Sequence, residues 1–119
     1  MSYAAYASTQ RAIEGPRDLE IRAISHITGK LAAANDPGVE ALDRIRALNG
    51  NIRLWSLLTQ DLADPGNALP AQVKANYLSI GAFAKRASVA ALTAKTDLST
   101  LIQINTDVLE ALESQRRAA

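Results

Sequence analysis

Apolar residues recur along this chain at spacings of three and four rather than two, a pattern that predicts helices and no strands. Gly15-Pro16, Asp36-Pro37-Gly38 and Asp64-Pro65-Gly66-Asn67, with Pro70 following, are strong turn signals between the apolar runs. The first run predicts a short helix over 2–13, with Tyr3, Tyr6 or Ala7, Gln10 and Ile13 toward one side. A helix of that length needs tertiary support. The second run predicts a helix over 16–34. Pro16 suits its first position, and Asp18 and Glu20 complement its positive N-terminal end. Its stripe is Ile24, Ile27, Leu31 and Ala34.

A third helix is predicted over 39–63, with Leu42, Ile45, Leu48, Ile52, Trp55 and Leu62 as its main stripe. Leu54, Leu57 and Leu58 fall outside that stripe, and a helix apolar on several sides belongs at the centre of a bundle. Asn49-Gly50-Asn51 interrupts the run, but the stripe keeps its phase, so a continuous helix is expected. The fourth helix, over 70–94, carries Val73, Tyr77, Ile80, Ala84, Ala87 and Ala91 on one face, where small residues allow a neighbour to approach closely. Thr96 or Asp97 can cap a fifth over 97–114, with Leu98, Leu101, Ile102, Val108, Leu109 and Leu112 facing inward. The polar end from Ser114 is expected to fray. The expected fold is all-α: one domain over 1–119, a compact bundle of about five helices with the third long and central.

Composition narrows the chemistry. The 119 residues hold no Cys, one His and one Trp, and 13 basic against 12 acidic side chains. The absence of Cys excludes disulfides, thiolate metal sites and thiol nucleophiles. A single imidazole leaves no His cluster for a metal. Near-neutral charge argues against a dedicated nucleic-acid binder. The chain starts without a basic segment leading into a long apolar run, and no stretch approaches the roughly 20 apolar residues that span a bilayer. A cytoplasmic protein without membrane insertion is expected.

The catalytic inventory is nearly empty. His26 lies at the edge of an apolar stripe with no nucleophile motif to serve. Asp61 and Asp64 sit at a helix end, where turn chemistry explains them. No phosphate-binding glycine loop is present. Neither an enzyme nor a bound cofactor or metal is expected. Two features invite a binding role. Between Asp64 and Asp97 there is no acidic residue, yet Lys74, Lys85, Arg86 and Lys95 are present. At 100° per residue, Leu78, Val89 and Leu92 fall away from the fourth helix's main stripe, beside Lys74 and Lys85. This mixed apolar and basic face either docks a partner helix or is covered by the fifth helix. The second feature is Asn105, in the middle of the fifth helix's apolar stripe. A buried amide needs a partner, so Asn105 either fixes register inside the bundle or makes a polar contact in a binding groove.

Several segments, in order, resemble the FlaF family of flagellar biosynthesis regulators of alphaproteobacteria. They are Met1-Ser2-Tyr3-Ala4-Ala5-Tyr6 with Thr9-Gln10-Arg11-Ala12; Pro16-Arg17 with Glu20; Asn51 with Leu54-Trp55; Asp61-Leu62-Ala63; Asn67-Ala68-Leu69-Pro70; and Leu101-Ile102 with Ile104-Asn105. No one of these motifs is specific alone; the ordered set is. Gly15, Phe83 and Ala111 depart from the pattern, Phe83 standing where the family often has a tryptophan. The resemblance implies a protein that promotes flagellin synthesis and secretion, as a flagellin-binding chaperone using helix-in-groove contacts. It also implies opposition to FlbT, which restrains flagellin translation; the alternative is a regulator acting through FlbT or flagellin mRNA. Candidate partner contacts are Tyr3, Tyr6, Leu78, Lys85, Val89, Leu92 and Asn105. Pro16, Trp55, Asn67 and Pro70 are the candidate structural positions.

Overall fold

The computed structural model describes residues 16–118. The helix predicted over 2–13, with Tyr3 and Tyr6, lies outside the described residues. Four helices follow: α1 (Pro16–Ala34), α2 (Ala41–Ala63), α3 (Ala71–Ala91) and α4 (Ser99–Ala118). No strand occurs among the described residues. The chain is therefore all-α.

Local chemistry sets the boundaries. Asp36 and Asp64 each turn a carboxylate onto the backbone N–H two residues on, Gly38 at 2.8 Å and Gly66 at 2.7 Å. Both Asp-Pro-Gly sequences thus close the same Asp-based turn. A Cβ on Gly66 would lie 3.2 Å from the Asp64 carboxylate, so glycine leaves room for it. The helix predicted from 39 starts at Ala41, because Glu40 is extended (φ −69°, ψ 145°). Pro70 is extended too and precedes α3 rather than opening it. That helix stops at Ala91, short of 94, where the Leu92 N–H turns to the Val89 carbonyl at 3.1 Å in a tightened last turn. The last helix runs on through Arg116 and Arg117 instead of fraying from Ser114. Arg116 donates to Asp18 at 3.0 Å, tying that turn to α1.

Contacts at the two ends establish an up-down-up-down bundle. At one end the Asn35 amide, at the close of α1, donates to Asp97 at 2.9 Å and accepts from the Leu98 N–H at 2.8 Å. There Arg44 of α2 also donates to the carbonyls of Ala94 and Thr96, at 3.2 and 2.8 Å. At the other end Arg17 meets Gln115 at 2.9 Å. Around the bundle, α1 packs on α2 and α4, α2 packs most closely on α3, and α3 packs only lightly on α4. Ile24 and Leu31 from α1, Leu48 and Trp55 from α2, and Leu98 and Leu101 leading into α4 anchor the common core.

The long third predicted helix is α2, continuous through Asn49-Gly50-Asn51. A Cβ on Gly50 would sit 3.1 Å from the Ile27 side chain, so this glycine brings α1 close rather than breaking the helix. The predicted stripe needs one correction. Leu42 and Ile45 are 54% and 39% exposed, whereas Ala47, Asn51 and Leu54 are buried. The inward arc of α2 follows Leu48, Asn51, Trp55 and Leu62, and Leu42 and Ile45 lie off that arc at 100° per residue.

Asp97 caps the start of α4, accepting from the Ser99 hydroxyl at 2.7 Å, the Ser99 N–H at 3.0 Å and the Asn35 amide. Hydrogen bonds from the Ser99 side chain, then Asn35, hold its carboxyl below the ordinary aspartate range. A depressed pKa means stability present above the ordinary aspartate value and lost as pH falls through the lower folded-state value. Asp97→Ala is therefore expected to lower the thermal midpoint at neutral pH, with the gap to the parent protein closing in strong acid. Thermal melts across that range check it, and a gap independent of pH would refute the assignment.

Candidate functional site

The residues α3 buries are all small: Gly81, Ala84, Ser88 and Ala91. Their spacings of three and four place them along one stripe. A Cβ on Gly81 would lie 2.5 Å from Thr59 Cγ2 and 3.0 Å from Trp55 Cε3, so the α3 backbone rests directly on the indole. This approach consumes the inward face of α3 with almost no apolar bulk. Of its large side chains, Tyr77 and Ile80 pack against the core in part, and the others stand on its flanks. Val73, Tyr77, Leu78 and Ile80 are half-buried, while Phe83 and Val89 are 46% and 54% exposed. Of the predicted stripe, Ala84 and Ala91 are buried and Tyr77, Ile80 and Ala87 pack against the core in part, with Gly81 and Ser88 extending the inward face to one side.

The flank beside α2 carries the predicted apolar and basic face. Lys85 is half-buried and donates to Thr59 of α2 at 3.5 Å, which fixes the side on which this flank lies. Leu78, Lys85, Val89 and Leu92 share it at 100° per residue. Leu92 also packs against the core. At its Leu92 end the flank opens into a groove of about 760 Å³. Val39, Ile45, Leu48 and Leu92 supply its apolar surface, and Arg44 and Lys95 stand among its polar groups. The exposure of Ile45 is explained by this groove, which helical-wheel geometry of α2 alone did not reveal.

Asn105 is not part of that face. It is fully buried, and its amide is used twice inside the bundle. Trp55 Nε1 donates to Asn105 Oδ1 at 2.9 Å, and Asn105 Nδ2 donates to Asn51 Oδ1 at 2.9 Å. The series continues from Asn51 Nδ2 to Ser88 Oγ at 3.0 Å and from that hydroxyl to the Ala84 carbonyl at 2.7 Å. Three helices are joined by one directed chain of hydrogen bonds, and among the described residues no buried side-chain polar atom lacks a partner. As a candidate partner contact Asn105 is corrected to an internal residue, because both ends of its amide are already engaged. The structural candidates are placed as follows. Trp55 is buried, Asn67 accepts from the Leu69 N–H at 3.0 Å, Pro70 precedes α3 and Pro16 is the first residue of α1.

Sequence inspection missed one cluster, at the opposite end of the bundle. Arg17 and Glu20 of α1 meet Asp61 of α2 around a cavity of about 60 Å³ that reaches Trp55 and Tyr77. Burial pushes the Glu20 carboxyl up, Arg17 opposes the shift and Asp61 adds to it. The volume admits a few waters and no substrate of ordinary size. Arg17 and Glu20 are neighbours on a helix and were legible as such, but nothing in the spacing announces Asp61. His26 is exposed on α1. Among the described residues no group of three or more His, Cys, Asp or Glu could hold a metal ion.

A family model described as flagellar protein FlaF matches residues 2–112. No curated protein and no solved structure matches the chain.

Two outcomes follow from the buried and half-buried polar groups. Asn105→Ala leaves the Trp55 N–H and the Asn51 carbonyl unpaired in the core and is expected to cost about 1–3 kcal/mol in urea unfolding. A loss below a few tenths would contradict the chain of hydrogen bonds. A carboxyl whose folded pKa is raised supports the fold fully below its ordinary value, and that support is lost as pH rises through the raised one. Glu20→Gln is therefore expected to raise the melting temperature at neutral pH, with the advantage fading toward about pH 4. An equal advantage at both pH values would contradict the burial effect.

Proposed function

The chain belongs to the FlaF family of flagellar proteins, and on that premise we propose that it binds flagellin as a dedicated chaperone, promoting flagellin synthesis and secretion. The observation that carries this reading is the distribution of side chains on α3. Its fully buried residues are small, and its large apolar residues stand half-buried or exposed, Leu78, Phe83 and Val89 among them on the flanks. A helix so arranged offers its neighbours less than it offers an incoming amphipathic helix, which needs an apolar surface read at three- and four-residue spacing. Flagellin ends form helices that would associate prematurely, and covering their apolar faces keeps subunits monomeric for export. Leu78, Val89 and the groove at Leu92 supply the apolar contacts. Lys74, Lys85 and Lys95 surround them in a stretch free of acidic residues from 65 to 96.

No described helix is long and apolar enough to cross a membrane, and we place the protein's work in the cytoplasm, where flagellin is made. A second reading is action on flagellin translation through FlbT. It is favoured by Phe83, which stands exposed about 120° around α3 from Val89 at 100° per residue. One helix then offers two separate apolar flanks, enough for two protein partners. Direct contact with mRNA has less support, because the chain's formal charge is only +1.

Co-expression with flagellin followed by size-exclusion chromatography tests the reading. The expected result is co-elution at micromolar concentration, abolished by Val89→Asp or Leu78→Asp and retained in Phe83→Asp. Val89 is 54% exposed, so its substitution leaves the fold intact. Absence of any co-elution by the parent protein would sink the chaperone reading. Complex formation undiminished by both flank variants would remove this face from it, and loss of FlbT binding only in Phe83→Asp would support the second reading.

A further inference from the structure

The bundle is unevenly anchored, and α3 alone buries no large apolar side chain. Each other helix buries large aliphatic or aromatic residues: Ile24 and Leu31 on α1, Leu48, Leu54 and Trp55 on α2, Leu101, Val108 and Leu112 on α4. The buried set on α3 is Gly81, Ala84, Ser88 and Ala91. Tyr77 and Ile80 pack against the core only in part; hydrophobic stabilisation scales with the apolar area removed from water, so the docking of α3 rests on small and half-buried residues. Its neighbours hold it unequally as well, closely by α2 and lightly by α4. Across the α2 contact it is tied by Asn51 to Ser88 in the core and by Lys85 to Thr59 at the edge. The other three helices share contacts that do not pass through α3. These are α1 packed on α2 and on α4, and the Asn51–Asn105–Trp55 hydrogen bonds that link α2 to α4 across the diagonal.

We propose that α3 is a displaceable helix, undocking from α2 as a unit while α1, α2 and α4 remain assembled. Local opening free energies within one fold range from near zero up to the global value, and elements with few buried apolar contacts occupy the low end. Undocking uncovers the indole face of Trp55 against which Gly81 rests, and it frees both flanks of α3 together. The Asp64-Pro65-Gly66 turn and the Thr93–Asp97 connection that bound α3 sit at opposite ends of the bundle, so the helix can lift while its loops stay attached. In the closed state α3 covers the bundle's own aromatic centre, and it therefore acts as an internal competitor of any helix that binds there. Its use as such a gate rests on the reading of α3 as the partner-binding helix; the opening itself does not.

Native-state hydrogen exchange on the free full-length protein tests the opening without any partner. The amides of α3 are expected to exchange about tenfold or more faster than the slowest amides of α1, α2 and α4. Gly81→Ala places a methyl against Trp55 and Thr59 and is expected to accelerate α3 severalfold or more while leaving α1 and α4 unchanged. Ser88→Ala, which removes the Asn51 hydrogen bond without adding bulk, is expected to act in the same direction. Ile24→Val, on the helix diagonal to α3, is expected to accelerate the slowest amides of α1, α2 and α4 and leave α3 at its own rate. A single common exchange rate for the slowest amides of all four helices overturns the proposal. So does acceleration of α1 and α4 by Gly81→Ala to the same extent as α3. Because flagellin is absent, failure here leaves flagellin binding standing, and failure to bind flagellin leaves the opening standing.

Discussion

The fold depends on how Trp55 is buried. An indole offers a large apolar surface and one N–H that must find an acceptor once it leaves water. Asn105 supplies that acceptor from the diagonally opposite helix, and its own amide is completed by Asn51 and, beyond it, Ser88. The geometry of three helices is fixed by this requirement. The donor must reach across the bundle's centre, so α2 and α4 take one relative register. Ser88 must meet Asn51, so α3 takes one register on α2. Gly81 then falls over the indole ring, where only a residue without a Cβ fits. A core built from aliphatics alone would tolerate sliding by a turn; a satisfied polar chain does not.

From that constraint comes the unusual face of α3. Close approach over the indole demands small residues on the inward stripe, and the remaining apolar residues are displaced to the flanks. Close helix packing and an outward apolar surface are then two consequences of one geometry rather than separate features. The same geometry also limits how strongly α3 can be held. Small residues bring backbones together and gain dispersion contacts, but they remove little apolar area from water. A helix that presents much apolar surface outward and little inward is therefore suited both to binding and to moving.

The helices were legible because their boundaries are set by local chemistry. Asp-Pro-Gly closes a turn wherever it occurs, Pro16 fits a first turn, and Asp97 caps a helix start regardless of what packs nearby. The continuous α2 was legible from the phase of its stripe across Gly50. What sequence periodicity did not resolve was rotation. On α3 the predicted stripe does face inward at Ala84 and Ala91, with Tyr77 and Ile80 packed on the core in part, yet the closest contact lies to one side of it, at Gly81 and Ser88, because the packing partner is an indole rather than an aliphatic surface. Periodicity counts apolar residues and cannot see that a glycine is where contact is closest. Leu42 and Ile45 are exposed because they lie off the inward arc of α2, Ile45 on the wall of the groove. For Asn105 both alternatives were compatible with its position, and only Trp55 and Asn51 on another helix decide between them.

The two ends of the bundle carry different electrostatics, and this bears on how the molecule can respond to a partner. The end with Asp97 is stabilised by groups that favour the charged carboxylate, with Asn35 and Ser99 arranged around it. The end with Glu20 holds a carboxyl that burial and Asp61 disfavour as an anion, with Arg17 the opposing influence. The groove that continues the α3 flank is at the first of these ends, and the strained carboxyl is at the other, beneath the same indole that α3 covers. An event that shifts α3 relative to Trp55 changes the surroundings of both the groove at Leu92 and the cavity at Tyr77, since α3 contributes a wall to each. The two ends thus share one helix as a common wall, and that helix is the one that buries no large apolar side chain.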